Sequence, residues 1–274
     1  MEPLTHNIED YPEGIILPID KPYRWTSADV IRKVKYAAIR HFGKKNLKVG
    51  HAGTLDPLAT GILLVCIGPA TKRAEELQRS AKQYLAGVTF GATTPSYDLE
   101  KEIDAEYPVD GVSREALEVV LPGFVGEQEQ VAPLFSAKSV DGVRAYELAR
   151  KMYREHLRTG AEFNHEQSEL LSRQQINIYS MSLMDWLDGP APSAPAAQED
   201  RVGRIHVADI SGLRLPTAMI QVDCSKGTYI RALARDLGEA LGSGAFLSSL
   251  RRTKNGGFSI QDAISLDEAM QLLI

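Results

Sequence analysis

The stretch Gly50–Lys72, GHAGTLDPLATGILLVCIGPATK, places one carboxylate, Asp56, in a loop directly before an apolar run. Pro57 pushes Asp56 towards an extended backbone, and the glycines of the loop permit angles that a side chain would forbid. The run Ile62–Ile67 is short and closed by a Gly-Pro pair, which predicts a buried strand. A rigid loop beside a core strand is a common position for a catalytic acid. A lone Asp-Pro pair is also common in ordinary turns, where the carboxylate only bonds local amides.

The composition indicates a globular protein. The chain has 274 residues, 43% of them hydrophobic, which is enough for one large domain or two small ones. No apolar run approaches the roughly twenty residues that cross a bilayer, and the acidic N-terminus lacks the features of a signal peptide. We therefore expect a cytoplasmic protein with no membrane partner.

Cysteine and histidine usage argues against a disulfide framework and a metal site. Cys66 and Cys224 lie in apolar or alternating segments, which is typical of small core residues in a reducing compartment. The six histidines are scattered and no Cys-x-x-Cys pair occurs, so no metal and no cofactor are predicted.

Charge is distributed unevenly along the chain. Residues 21–82 carry thirteen basic and four acidic side chains, a net +9, so the remainder carries −14 of the total of −5. A positive region around Asp56 would suit a polyanion such as RNA, although a solvated basic surface without a ligand would have the same composition.

The rest of the chain reads as alternating strands and capped helices. A helix beginning at Thr26 or Ser27 and stopped by Gly43 presents one apolar face. Ser265-x-x-Glu268 is a capping box. Other predicted elements are a strand over Gly14–Asp20, a strand within Ala81–Thr94, a helix over Ser113–Leu121, a helix after Gly142, and a strand over 218–224 followed by a helix.

Four segments together resemble the TruB family of tRNA pseudouridine synthases. The first two are GHAGTLDPLATGILL with GPATK, and KPYRWTS, in which Arg24 stands where the family usually has glycine. The third, VAPLFSAKSVDGVRAYELARK, carries Lys138, Gly142, Tyr146 and Arg150 at the family's positions, and the fourth is VDCSKGTYIRALARDLGEALG. GATTPSYDLE departs from the family's usual TDTxDxxG, because Pro95 replaces the first acid and Glu100 stands near the expected glycine, while Asp98 is kept.

The resemblance implies a mixed α/β (α+β) pseudouridine synthase fold, with a curved, largely antiparallel sheet flanked by helices and a central RNA-binding cleft. We expect residues 1–274 to form a single catalytic domain with insertions near 153–171 and 189–200. The second insertion is rich in Pro, Ala and Ser and predicts a surface loop. No separate C-terminal RNA-binding domain is expected.

The resemblance also implies the reaction, which is isomerisation of the T-loop uridine at position 55 of tRNA. It makes Asp56 the catalytic acid, either as nucleophile or as the base that takes a sugar proton, and the residues leave that choice open. Arg231 would pair with Asp56, and Tyr84 would lie against the target base. The implied RNA-binding residues are Lys21, His51, Gly53, Thr54, Lys72, Lys226 and Tyr229. The partner is tRNA, and we expect a monomer.

Two other functions compete with this interpretation. A hydrolase of glycosidic bonds would usually need a second carboxylate in the same cleft, and the motif supplies one acid and one arginine. A noncatalytic RNA-folding module would keep the basic surface but would not require Asp56.

Overall fold

The computed structural model describes residues 3–135, 139–140, 143–160, 173–187, 189 and 205–274. The main sheet has ten strands: β1 (Ile15–Lys21), β2 (Val49–His51), β3 (Ala59–Ile67), β4 (Lys82–Phe90), β7 (Gly126–Val131), β10 (Arg173–Leu187), β11 (Thr217–Cys224), β12 (Ala245–Asn255), β13 (Phe258–Ser259) and β14 (Ile264–Ser265). Two small hairpins pair β5 (Ala92–Thr93) with β6 (Ala105–Glu106), and β8 (Ser139–Val140) with β9 (Val143–Arg144). The helices are α1 (Ser27–His41), α2 (Ala74–Arg79), α3 (Arg114–Val120), α4 (Ala145–Thr159), α5 (Ile230–Ala240) and α6 (Leu266–Gln271).

The strand order in the main sheet is β14-β1-β3-β12-β4-β11-β10-β7, with β2 on β3 and β13 on β12. Only the pairs β1/β14 and β3/β12 are parallel among those of the described chain. The predicted mixed α/β architecture with a largely antiparallel sheet is therefore confirmed. Within the described residues, no helix has both the length and the apolar composition needed to cross a bilayer.

The central strand β3 is buried along its whole length, which explains its nearly continuous apolar sequence. Its neighbour β1 alternates between buried and half-buried positions. On one side of these strands lies α1, with Val30, Val34 and Ala38 facing the core. The prediction of a buried strand after the Asp56 loop is confirmed, and the strand begins at Ala59, earlier than the apolar run itself.

Local signals set the ends of the helices where the sequence predicted them. Thr26 caps α1 in a reciprocal capping box with Asp29, and Gly43 takes a left-handed φ of +62° just beyond its end. Ser113 caps α3 and Ser265 caps α6. Cys66 and Cys224 are buried free thiols, as expected of core residues.

Arg24 occupies the turn between β1 and α1 with a φ of +62°. This is the left-handed conformation that glycine adopts without cost and that other residues disfavour by about 1–2 kcal/mol. The turn therefore keeps the backbone shape expected of the family's glycine despite the substitution. The Arg24 side chain reaches across to donate a hydrogen bond to the Ile205 carbonyl at 2.6 Å.

The family-like segment after β7 is described in part. The predicted helix after Gly142 is α4, which extends through residues 153–159 of the first predicted insertion. Lys138, Gly142 and the remainder of that insertion from 161 to 171 lie outside the described residues, as does the second predicted insertion apart from Gly189. The side chain of Tyr146 is likewise outside them.

Candidate active site

Asp56 and Arg231 are brought together from positions 175 residues apart in the chain. The guanidinium donates from Nε to one carboxylate oxygen of Asp56 at 2.9 Å and from Nη2 to the other at 3.1 Å. Arg231 is the second residue of α5, so the turn after β11 aims it at the loop between β2 and β3. The Asp56 side chain is 35% exposed, while that of Arg231 is 5% exposed. The pair therefore has one open side, which belongs to the carboxylate.

Arg231 is fixed by further acceptors. Its Nη1 donates to the Ser96 carbonyl at 3.1 Å, and its Nη2 also donates to the Phe135 carbonyl at 3.0 Å. The carboxylate of Asp98 lies 3.8 Å from its Nε. Burial by itself would lower the pKa of Arg231, but the charge of Asp56, with Asp98 behind it, raises that pKa above its usual value. The guanidinium is a permanent positive charge in this site.

A second carboxylate pair lies behind Arg231. Asp98 is buried, and its Oδ1 accepts from the Ser96 hydroxyl at 2.6 Å and from the Glu100 amide at 2.9 Å. Burial raises the pKa of Asp98, and Arg231 opposes that shift. Burial also raises the pKa of Glu100 to about 7, with the neighbouring Asp98 adding to the shift. These two acids face the protein interior and not the open side of Asp56.

The loop that carries Asp56 is held by its own carbonyl groups. Each carbonyl oxygen from Ala52 to Pro57 accepts a hydrogen bond, so the backbone has little freedom to shift. The donors are Asn255 to Ala52, Arg252 to Gly53 and to Thr54, Ser27 to Leu55, the Ala59 amide to Asp56, and Lys21 to Pro57. Ser27 also accepts from the Leu55 amide at 2.9 Å. The sequence-based inference of a rigid loop is thus explained by side chains from β1, α1 and β12.

Lys21 differs from its predicted role as an RNA-binding residue. Its side chain is 0% exposed, and its ammonium donates to the carbonyls of Pro22, Trp25 and Pro57 at 2.6–3.1 Å. These three acceptors use all of its donors, so none remains for a phosphate. Burial lowers the pKa of Lys21 to about 7, although the Asp56 charge opposes the shift. The prediction was wrong because a lysine at the end of a strand next to Pro22 gives no sequence signal of being turned inward.

The open side of Asp56 faces a cleft of about 220 Å³. Its lining includes Gly53, Thr54, Tyr84 and Tyr229, each of which was predicted to belong to the site, and also Lys82, Ser225, Gly227 and Arg252. Lys226 is exposed between two lining residues of the turn before α5. His51 is half-buried on β2 and is not part of the lining. Burial, assisted by the Arg252 guanidinium, lowers the pKa of His51 and so favours a neutral ring.

Lys72 is exposed in the turn after β3, within Gly68–Arg73. It is not part of the cleft lining, and it lines a groove with Lys44 and Lys48. The prediction that Lys72 binds RNA stays a prediction.

Two basic residues of the cleft lining, Lys82 and Arg252, were not assigned to the site from sequence. Lys82 lies two positions before Tyr84 on β4 and faces the same way, so strand alternation alone would have found it once Tyr84 was placed. Its ammonium donates to the carbonyls of Gln78 and Ser80, and burial lowers its pKa to about 8. Arg252 was not singled out, because no local pattern distinguishes it from the more exposed Arg251 and Lys254 on the same strand.

No group of three or more His, Cys, Asp or Glu side chains suited to a metal ion occurs among the described residues. The cleft offers one partly exposed carboxylate, the buried guanidinium groups of Arg231 and Arg252, the ammonium of Lys82, two tyrosine rings and backbone groups. These groups suit a flat ligand ring, which the tyrosines can stack against. The fixed negative charge can stabilise an intermediate of opposite charge beside that ring.

The fold defines a class of proteins when compared with solved structures. A chain in the crystal structure of a Cbf5-Nop10-Gar1 complex matches 96% of this chain with a TM-score of 0.60 and 23% identity. A chain in the structure of an H/ACA RNP bound to a substrate RNA containing 2′-deoxyuridine matches with a TM-score of 0.58. This chain spans 56% and 55% of those chains, so the comparison concerns their shared fold. That fold is the pseudouridine synthase fold.

Sequence comparison then gives the family. Residues 40–186 match the model of the N-terminal domain of TruB family pseudouridylate synthases, and residues 231–274 match that of the tRNA pseudouridylate synthase B C-terminal domain. The chain is 45% identical over 258 residues to tRNA pseudouridine synthase B of Phocaeicola vulgatus, covering 94% of this chain and 92% of that protein. It is 41% identical to the protein of the same name from Flavobacterium johnsoniae, covering 96% and 99%. The chain belongs to the TruB family.

Proposed function

We propose that this protein isomerises uridine to pseudouridine in tRNA, at position 55 of the T loop. Relatives that share 41–45% of its residues over most of both chains are named tRNA pseudouridine synthase B. The observation that carries the proposal is the exposed carboxylate of Asp56, held bidentately by Arg231 at the mouth of a cleft lined by aromatic rings.

The isomerisation requires a single acid in a fixed place. The bond from the sugar C1′ to N1 of uracil breaks, the base turns over, and C5 joins the same carbon, with the C5 proton lost and N1 protonated. Asp56 would act as its carboxylate, either by attacking C1′ or by taking a sugar proton, and both roles are compatible with its open side. Arg231 would orient the carboxylate and supply a compensating charge 2.9 Å away.

The target base must leave its stack to reach Asp56, at a cost of roughly a few kcal/mol. Tyr84 and Tyr229 line the cleft and would offset part of the unstacking free energy by packing against the extruded base. Gly53 and Thr54 would approach its sugar and phosphate. Exposed Lys226, at the turn before α5, is placed to contact a phosphate at the mouth of the cleft.

The place of Asp98 disfavours a glycoside hydrolase. A second carboxylate, Asp98, does lie near Asp56, but its side chain is 7% exposed and it does not line the main cleft. It could not protonate a leaving group or activate water on the substrate. The hydrolase alternative predicts release of free uracil, which the proposed isomerisation does not.

We infer one catalytic domain over residues 1–274, because the segment matching the C-terminal domain model contributes β12 to the middle of the main sheet. We also infer that the protein acts as a monomer. RNA affinity would then come from the surface around the cleft. We also infer that the protein needs no metal and works in the cytoplasm.

The direct test is to incubate the purified protein with unmodified tRNA and map pseudouridine at nucleotide resolution. We expect modification at position 55 and no free uracil. The Asp56→Asn variant is the matched control for a contaminating activity. Absence of pseudouridine with folded protein, or release of uracil, would refute the proposal.

A further inference from the structure

Tyr84 and Arg252 are direct neighbours across two strands. In the antiparallel pair β4/β12 the register sets Arg252 opposite Tyr84. Side chains that face each other in this way lie on the same face of the sheet, with Cβ atoms about 4.5–5.5 Å apart. Both side chains line the cleft next to Asp56. Burial raises the pKa of Tyr84, and the charge of the neighbouring Arg252 guanidinium opposes that shift.

The same guanidinium also holds the loop that carries Asp56. Its Nη2 donates to the Gly53 carbonyl at 3.1 Å, its Nη1 to the Thr54 carbonyl at 3.4 Å, and its Nε to the Ile62 carbonyl at 2.8 Å. The side chain of Arg252 is among the largest fully buried ones, with 1% of the residue exposed. A guanidinium is planar and rigid, so groups bound to its edges are held in fixed relative positions.

The backbone is shaped to bring Arg252 to this point. Gly61 pairs with Arg252 in the parallel contact of β3 with β12. A Cβ on Gly61 would lie 2.2 Å from the Arg252 carbonyl oxygen and 2.7 Å from its nitrogen, and Gly61 has a φ of +97°. Only glycine permits this approach. The position of the Arg252 backbone is therefore fixed by tight strand packing.

The neighbouring Arg251 shows that the arrangement is specific to one face of β12. Arg251 is 40% exposed and donates to Asp20 at 2.7 Å and to the Thr60 hydroxyl at 3.2 Å. It does not line the cleft. Arg251 therefore holds β1 and β3, whereas Arg252 holds β3 and the Asp56 loop and lines the cleft opposite Tyr84.

We propose that Arg252 is a positioning residue for the isomerisation, which fixes the ring of Tyr84 relative to the loop of Asp56. The inference rests on the proposed function, since it assigns Arg252 to the geometry of that reaction. One buried guanidinium joins the surface that receives the target base to the loop that presents the carboxylate. If it is shortened, the base and the carboxylate lose their mutual alignment while the RNA-facing surface stays unchanged. Misplacement by about 1 Å can cost about a hundredfold in rate.

The experiment compares Arg252→Lys, Tyr84→Phe, their combination and Arg251→Lys. For each folded variant, the single-turnover rate of pseudouridine formation is measured at saturating protein, and the Kd for tRNA is measured separately. We expect Arg252→Lys to slow the single-turnover step by about a hundredfold, with the tRNA Kd within about threefold of wild type. We expect Arg251→Lys to keep the wild-type rate within about twofold, although it removes a guanidinium from the same strand.

The double variant separates positioning from general support of the fold. If Arg252 acts partly through the Tyr84 hydroxyl, Tyr84→Phe should slow the wild-type protein by about tenfold but the Arg252→Lys variant by much less. If the fold-reductions in rate of the two single variants simply multiply in the double variant, the two residues act independently and the proposal is overturned. A rate for Arg252→Lys equal to that of wild type would also overturn it. If Arg252→Lys does not fold, Tyr84→Phe still decides, because a wild-type rate in that variant contradicts the proposal. Wild-type protein that forms no pseudouridine would instead refute the proposed function.

Discussion

Arg231 faces two carboxylates that differ mainly in how much water reaches them. Asp56 accepts two hydrogen bonds from the guanidinium and is 35% exposed, while Asp98 lies 3.8 Å away and is 7% exposed. The Ser96 hydroxyl and the Glu100 amide satisfy Asp98 within the protein. One acid is therefore presented to a substrate and the other is used to hold the arginine.

The difference teaches that pairing with arginine does not by itself identify a catalytic acid. Both carboxylates share the same cation, so charge complementarity is similar for the two. What separates them is desolvation, which raises the pKa of Asp98 and removes it from contact with a ligand. Access to the cleft, and not pairing, supports the catalytic role proposed for Asp56.

The largest expected effect is on activity when Asp56 is replaced. Asp56→Asn removes the reacting oxygen charge, so the single-turnover rate should fall by at least about a thousandfold. The tRNA Kd should change by less than about threefold, because the surface of the cleft is retained. A single-turnover rate within about tenfold of wild type, in a preparation free of wild-type protein, would contradict the assignment. Asp98 still faces Arg231 in this variant, so we expect the melting temperature to fall by only a few degrees.

Asp98→Asn should lower stability more, and activity less, than Asp56→Asn does. The buried amide keeps an acceptor for Ser96 and Glu100 but loses the charge facing Arg231, so the free energy of unfolding should fall by about 1–3 kcal/mol. The single-turnover rate should fall by about tenfold, as Arg231 loses one of its supports. Denaturant unfolding and rate measurements on both variants check the comparison. If Asp98→Asn were as inactive as Asp56→Asn yet fully stable, Asp98 would have a direct role in the reaction.

Ser27→Ala tests whether the rigidity of the Asp56 loop contributes to the rate of the reaction. The substitution removes both hydrogen bonds to Leu55, at 2.9 and 3.1 Å, and should cost about 1–2 kcal/mol of unfolding free energy. The rate should fall several-fold. Ser265→Ala is the matched control, because loss of the α6 cap costs a similar amount away from the cleft. Equal rates in the two variants would show that loop rigidity does not contribute.

Glu100→Gln gives the smallest expected effect, on pH dependence. Glu100 has a pKa of about 7 in the folded protein against an ordinary 4.5, so its folded form binds a proton more tightly. That contribution to stability is complete below about pH 4.5 and is lost as the pH rises through 7. The melting temperature of wild type minus that of Glu100→Gln should therefore be larger at pH 5 than at pH 8. A difference that stays constant between these pH values would contradict burial of a protonated Glu100.

Much of the fold was predictable because its signals are local. The Thr26 cap, the Gly43 stop and the alternation of β11 each depend on a few adjacent residues, and the structure confirms all three. The pairing of Asp56 with Arg231 was expected only through family resemblance. Lys72 lies outside the lining of the cleft, so its predicted contact with RNA stays a prediction. Lys82 was missed because its role depends on which face of β4 meets the cleft.

The sequence by itself determined the family resemblance and, through it, the type of fold and the acid beside the cleft. The reason is that short-range patterns and a family-like motif lie within single segments of the chain. Tertiary structure decided which charged side chains face inward. Lys21, Arg252 and Arg231 are all basic. Lys21 and Arg252 donate hydrogen bonds to carbonyl groups of the Asp56 loop, and Arg231 donates to the carboxylate of Asp56. The physical reason is that a buried cation must find acceptors. Those acceptors come from strands and loops distant in sequence that meet only in the folded chain.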